Sequence, residues 1–387
     1  MNKNNTNAAI SGNGKEFFKK EEIIKRFHKS VFNANDNFTL VTGANNANKR
    51  DAIKNMLINS CSKNPTIFVD TRGLMDDDSL DLISSHRLVV GEVKRNDIYI
   101  DGLPVNMFAM DPNKSKEENA VDLFDTGSSI YSAPDTAHID TLASMMSSYV
   151  DEVEVPTDCT ISEAARTAKM QFFDTLIAAE INTVNDPFLY ELHCSIDSDL
   201  DDCKVLNNSW GDIINPQLSL YYTIFNSGAR DSAIPLANMM LASLRNYRKR
   251  NHETPIDLYI NDITDLNFSC TGAIRKIINE AERLNINVIG ISADYHMPST
   301  PEGEMMSSAC KQYFLFPTLS SKNYVNAALH ITSNDSWPFK DISGYGTFDG
   351  AILKEVVQDK RTGKSKTTVF KGDFRNYFSL DEYFHLK

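Results

Sequence analysis

Short apolar runs alternate with stretches of helical spacing along much of this chain. Phe38-Thr39-Leu40-Val41-Thr42 is a β-prone run that stops at Gly43, and residues 50–61 follow with Ile53, Met56, Leu57 and Cys61 on a helical period. The pattern predicts strand, loop and helix in that order. Thr66-Ile67-Phe68-Val69-Asp70 predicts a second strand, closing on an acid and running into Thr71-Arg72-Gly73. Arg87–Val93 and Asp97–Ile100, with Lys94-Arg95-Asn96 between them, predict a hairpin. From about 113 to 180 the spacing is helical (Ala120, Leu123, Phe124, then Ala168, Phe172, Leu176), broken by a Ser/Pro/Asp stretch. Residues 181–215 are polar and predict no element.

The alternation then resumes. Leu220–Phe225 predicts a strand, and Ile234, Ala237, Leu241 and Leu244 mark a helix face. Ile256–Ile260 is a strand, Ile274, Ile277, Ile278, Ala281 and Leu284 form a second helix face, and Val288–Ile291 and Tyr313–Phe316 are further strands. Ala351–Val357 and Thr367–Phe370 predict a hairpin turned near Arg361-Thr362-Gly363-Lys364. Strands alternating with helices of this length imply an α/β fold whose mostly parallel central sheet is covered by helices. The organisation expected is a disordered tail (1–14), a first part of the core (15–112) opening on a short charged helix near 15–32, a mostly helical insert (113–215), a second part of the core (216–355), and a C-terminal hairpin and tail (356–387).

Composition narrows the class. At 387 residues, 41% hydrophobic and 24% charged, the chain has the make-up of a globular protein and is too apolar for disorder. Its apolar runs, such as Ile286–Ile291, fall far short of the ~20 residues a membrane helix needs. Met1–Lys15 lacks the apolar centre of a signal peptide. The expected location is therefore cytoplasmic, with a peripheral place at the inner face of the membrane compatible with it. The cysteines (Cys61, Cys159, Cys194, Cys203, Cys270, Cys310) contain no C-x-x-C pair, which speaks against a zinc site or a disulfide framework. No histidine sits in a metal-ligand spacing; His193-Cys194 with Asp197, Asp199, Asp201, Asp202 and Cys203 fits no template and is expected to be a solvated acidic loop. There is no G-x-S-x-G elbow.

A net charge of −13 excludes attraction of nucleic acid by bulk charge. Two local clusters run the other way: Lys15, Lys19, Lys20, Lys25, Arg26 and Lys29, and Arg245-Asn246-Tyr247-Arg248-Lys249-Arg250. Any DNA contact must be local to them; the competing expectation is that they are solvated helix faces.

Two stretches carry candidate chemistry. Gly43-Ala44-Asn45-Asn46-Ala47-Asn48-Lys49-Arg50 lies between a strand and a helix, as the phosphate-binding loop G-x-x-x-x-G-K-[ST] does. Gly43 and Lys49 keep their spacing, so an ammonium and the amides of a helix start would face phosphates. Asn48 replaces the second glycine. Arg50 replaces the hydroxyl that holds Mg²⁺, and a guanidinium ligates no cation; it would pair instead with a phosphate or an acid. Ile256–Asp262 is an apolar strand ending in Asn-Asp. In such a strand end one acid orients the Mg²⁺ shell and the next polarises the attacking water. Asn261 takes the metal-side place, with Asp262 beside it in both the metal and the catalytic roles.

In order and spacing these stretches resemble the motor core of the HerA/FtsK superfamily, especially the TraG- and TraC-like ATPases of conjugative DNA transfer. Asn287–Asp294 resembles the family's sensor strand, with Ala293 or Asp294 where the family usually has Gln. Asp70-Thr71-Arg72-Gly73 resembles its Asp-x-Lys-Gly segment, and Val105-Asn106-Met107-Phe108 with Asp111-Pro112 its Asn-Pro stretch before the helical insert. Glu280–Asn285 resembles the stretch before the sensor strand, and Pro317–Leu329 the segment after it. The likeness spans roughly residues 35–355.

It implies a RecA-like P-loop NTPase core with an inserted helical region. It also implies ATP at residues 43–50, Mg²⁺ at Asn261 and Asp262, and catalytic roles for Asp262 and Asp294. The implied partners are a homo-oligomeric ring or an active ATPase relative. Because Arg50, Asn261 and the missing Gln each weaken hydrolysis, the function expected is nucleotide binding in a DNA-transfer system, with turnover in doubt. The alternatives are an active DNA translocase whose Mg²⁺ is held by Asp70, Asp262 and Asp294, and an interaction protein that has lost the nucleotide.

Overall fold

The structure is a computed structural model that describes residues 38–44, 47–61, 63–80, 96–101, 105, 111, 113–129, 209–215, 218–224, 230–264, 273–293, 309–316, 351–358 and 365–372. Among the described residues nine strands form one sheet: β1 (Phe38–Thr42), β2 (Thr66–Asp70), β3 (Asn96–Asp101), β4 (Leu218–Ile224), β5 (Ile256–Asn261), β6 (Ile286–Ser292), β7 (Gln312–Leu315), β8 (Ala351–Gln358) and β9 (Ser365–Gly372). Their order is β3-β4-β2-β5-β6-β1-β7-β8-β9. The first seven in that order run parallel, while β8 and β9 are antiparallel.

Every residue of β1, β2 and β5 is buried, because a parallel sheet covered on both faces leaves neither side of the pleat in water. One face carries Val41, Phe68, Tyr222, Tyr259, Ile289 and Phe314, which pack with Ala52, Ile53, Met56, Leu57 and Cys61 of α1 (Ala47–Cys61). The alternate residues Leu40, Ile67, Tyr221, Leu258 and Val288 are buried as well, as the two-residue period of a strand requires when both faces are covered. Removing one such side chain from water stabilises the fold by roughly 1.5–3 kcal/mol.

Among the described residues the remaining helices are α2 (Lys116–Ser128), the single turn α3 (Trp210–Ile213), α4 (Arg230–Arg248) and α5 (Ala273–Leu284). The face of α5 is Ile274, Ile277, Ile278, Ala281 and Leu284, all buried; α5 packs on β6 and α4, and α4 packs on α2. Among the described residues no helix is long and apolar enough to cross a membrane.

The observed pairing of Asp97–Ile100 is parallel, to β4 at the sheet edge, where the sequence suggests one arm of a local hairpin. Its expected partner Arg87–Val93 lies outside the described residues, as do the helix expected near 15–32 and residues 131–208 of the helical insert. The pair β8–β9 stands where the sequence places a hairpin, and it continues the main sheet through the register Gln312–Glu355 to Leu315–Ile352.

Candidate functional site at the carboxyl edge of the sheet

Ligands of open α/β sheets bind beyond the carboxyl ends of the strands. Here the ends of β1, β6, β5, β2 and β4 are linked side by side by polar contacts.

At the end of β1 the chain turns through Gly43, with φ of +118°. A Cβ there would drive into the main chain of Phe316, whose N–H donates to Thr42 O at 2.8 Å. Both the backbone conformation and the space therefore demand glycine. The chain then enters α1, which places Lys49 in its first turn. That side chain is fully buried. Its Nζ donates to Gly43 O at 2.8 Å and to Ser292 O at 2.5 Å, tying the loop to the ends of β1 and β6. Asn45 and Asn46 lie outside the described residues. Ala44 and Arg50 are partly exposed on either side of them, and Ala47 and Asn48 contribute the backbone of the first helical turn.

Two strands away, β5 ends at Asn261. Its Nδ2 donates to Asp70 Oδ1 at 2.7 Å, and its Oδ1 accepts the Asp262 N–H at 3.0 Å. Asp262 sits in the left-handed region at φ 64°, a conformation Asp tolerates better than most residues. The turn aims its carboxylate at Arg72, with which it forms an ion pair. The next residue, Ile263, is buried and fills the space above Gly290 of β6 that any side chain there would occupy. Thr264 then reaches β6, its Oγ1 lying 3.0 Å from Ser292 Oγ.

Asp70, wholly buried at the end of β2, is the hub of this edge. Besides Asn261 it accepts the N–H of Arg72 at 3.0 Å, the N–H of Leu74 at 2.5 Å and the hydroxyl of Tyr222 at 2.6 Å. Burial, together with the negative charge of Asp70, pushes the Tyr222 hydroxyl far above its usual range, so it remains a donor. A buried carboxylate needs such donors, and these hold the loop from Arg72 to Met75 against the sheet.

The sequence-stated candidates are thus distributed unevenly. Lys49, Asn261 and Asp262 occupy the same edge, but Asn261 faces Asp70 and Asp262 faces Arg72. Asp294 lies outside the described residues. Asp70 accepts four hydrogen bonds, and among the described residues no group of three His, Cys, Asp or Glu side chains is placed to hold a metal. Arg72, Tyr222, Ser292 and Thr264 were not singled out for a role from sequence. The signal for Arg72 is its place two residues beyond an acidic strand end, but its partner is set by the turn at Asp262, which local sequence does not disclose.

The second basic cluster, expected to be either a local DNA contact or a solvated helix face, is largely engaged between helices. Arg248 is 1% exposed and donates to Leu284 O, Thr254 O and Asn285 O, satisfying carbonyls left over at the end of α5. Arg245 pairs with Glu280 of α5 and Asp125 of α2. Lys249 donates to Asn246 at 2.7 Å, and Arg250 pairs with Glu118. These cations hold three helices together and do not make a basic patch. The first cluster lies outside the described residues.

No family model and no curated protein sequence matches this chain. Solved structures do. The plasmid coupling protein TrwB in complex with ADP and Mg²⁺ matches with TM-score 0.55 at 9% identity, over 89% of this chain and 86% of that one. TrwB with the non-hydrolysable GTP analogue GDPNP gives 0.54 at 8% identity, over 93% and 96%. VirB4 of Thermoanaerobacter pseudethanolicus gives 0.51 at 12% identity, over 86% and 88%. This chain carries the RecA-like α/β fold of the coupling protein TrwB and of VirB4.

Proposed function

We propose that this protein binds a nucleoside di- or triphosphate at the Gly43–Arg50 loop and serves a DNA-transfer system of the conjugative kind, without the ordinary means of hydrolysis. The observation that carries the proposal is the pairing of Gly43 and Lys49 across a strand-to-helix turn at the carboxyl edge of a parallel sheet. The solved structures of like fold include TrwB complexes with ADP and Mg²⁺ and with an ATP analogue. Main-chain amides at the head of α1 supply the anion-facing end of a helix, and Lys49 supplies the charge once its Nζ turns from the carbonyls to phosphate. Hydrolysis is disfavoured because Asn261 brings no charge and Asp262 is engaged by Arg72. Its partners would be further copies of the chain in a ring, or an active ATPase relative that supplies the turnover.

Calorimetric titration with ATP and ADP tests binding, with Lys49→Ala as the control. Mg·ATP turnover, measured with and without DNA, tests the rest. Micromolar binding that Lys49→Ala abolishes, without turnover, is the expected result; turnover lost in Lys49→Ala would replace the proposal with an active translocase.

One observation favours a second reading, an interaction protein without nucleotide. Lys49 Nζ already joins Gly43 O and Ser292 O, a cross-link that holds the loop with no ligand. Absence of any heat with ATP or ADP would select this reading.

A further inference from the structure

Magnesium beside a nucleotide takes oxygen ligands, usually with a protein hydroxyl or carboxylate among them or holding its waters. The residues at this edge do not fit it. Arg50 stands in the hydroxyl position and has no lone pair to give. Asn261 spends its amide nitrogen on Asp70 and its oxygen on the Asp262 N–H. The Asp262 carboxylate is paired with Arg72, and Asp70 accepts four hydrogen bonds.

What the edge has instead is fixed positive charge. Lys49 and Arg50 lie in the first turn of α1, and Arg72 pairs with Asp262 and donates its N–H to Asp70. Arg50 sits partly exposed in that helical turn, and Arg72 is carried by the loop that follows β2. The Asp76 carboxylate, in that loop's continuation, is held low first by the hydroxyl and N–H of Ser79, then by the fields of Lys54 and Arg50. A guanidinium meets phosphate oxygens with two parallel N–H bonds and remains charged at any physiological pH.

We infer that this edge takes a nucleoside polyphosphate as the metal-free anion, with Arg50 and Arg72 supplying the positive charge that Mg²⁺ supplies in an ordinary site. The inference rests on the nucleotide-binding proposal above and adds the ionic form of the ligand. Binding would then draw Arg72 from Asp262 toward phosphate, exchanging one ion pair for another.

The test is calorimetric titration of the full chain with ADP and with ATP, once in excess EDTA and once in excess Mg²⁺. The wild-type Kd should be about tenfold or more higher in excess Mg²⁺ than in EDTA, because the metal competes with the protein for the free anion. In EDTA, Arg50→Ser and Arg72→Ala should each raise Kd by about tenfold, and Arg72→Lys, which keeps the charge, by less. Affinity in Mg²⁺ equal to or better than in EDTA, or variants that leave the EDTA affinity unchanged, would overturn the inference and leave nucleotide binding standing. Binding in neither buffer would remove the nucleotide proposal itself. The wild-type comparison needs no variant to fold.

Discussion

Asn261 and Asp70 join the ends of β5 and β2 through a 2.7 Å hydrogen bond from amide to carboxylate. This bond turns an apparent loss into a structural requirement. An acid at 261 would look like the repair of a metal site, yet it would set a second carboxylate against a fully buried one. Two carboxylates at that distance cannot both ionise without a cation between them.

Asn261→Asp is therefore expected to destabilise the protein by roughly 2–4 kcal/mol near neutral pH. Denaturant unfolding measures it, and excess Mg²⁺ should not restore more than a fraction. Full recovery in Mg²⁺ would show that the edge accepts a metal once the charge is returned.

Gly43 supports a second prediction. Gly43→Ala combines a positive φ with a clash against the main chain of Phe316, and backbone cannot move aside as a flexible side chain does. The expected cost is about 3 kcal/mol, with loss of any nucleotide affinity. The neighbouring change Ala44→Gly should stay within about 1 kcal/mol. Equal effects at the two positions would mean that the turn is not held as described.

Arg245 tests the charge network between the helices. It pairs with Glu280 at 2.7 Å and Asp125 at 3.0 Å while itself mostly buried. Burial raises both carboxyls, but Lys276 and Arg245 at Asp125, and Arg245 and Arg283 at Glu280, outweigh it. Both end below their ordinary values of 3.8 and 4.5. A depressed carboxyl contributes stability that is present above the ordinary value and is lost as pH falls through the folded-state value. Arg245→Met should cost roughly 2–4 kcal/mol near neutral pH. The cost should shrink as pH drops below 3.8. An identical cost at both ends of the titration would assign the effect to packing alone.

The same residues show how much of the fold and of this edge is legible in the sequence. The apolar runs of β1, β2, β5 and β6 and the face of α5 were legible because local period and burial agree there. Gly43 and Lys49 were legible from spacing. The partner of Asp97–Ile100 was not, since β3 pairs with a strand more than a hundred residues later. Arg245 and Arg248 were legible as charge only. Their roles are set by Asp125, Glu280 and the carbonyls ending α5, none of them near in sequence. Arg72 was visible as a residue, but its pairing depends on the left-handed turn at Asp262.

Asp257 gives the last prediction, at the opposite edge of the sheet. It opens β5, is 2% exposed, and its Oδ1 accepts from Asn64 at 3.2 Å and Asn287 at 2.7 Å. Burial is the dominant influence and raises its pKa above the ordinary 3.8, despite hydrogen bonds that lower it. The folded state then holds a proton that the unfolded chain releases, so stability falls as pH rises from 3.8 to the raised folded-state value. Asp257→Asn keeps the oxygen that both amides use and removes the buried charge. The variant should be as stable as wild type in acid and more stable near neutral pH, by roughly 1 kcal/mol. Unfolding midpoints measured across that range decide it. A variant less stable than wild type at every pH would mean that the second carboxylate oxygen has a role an amide nitrogen cannot take.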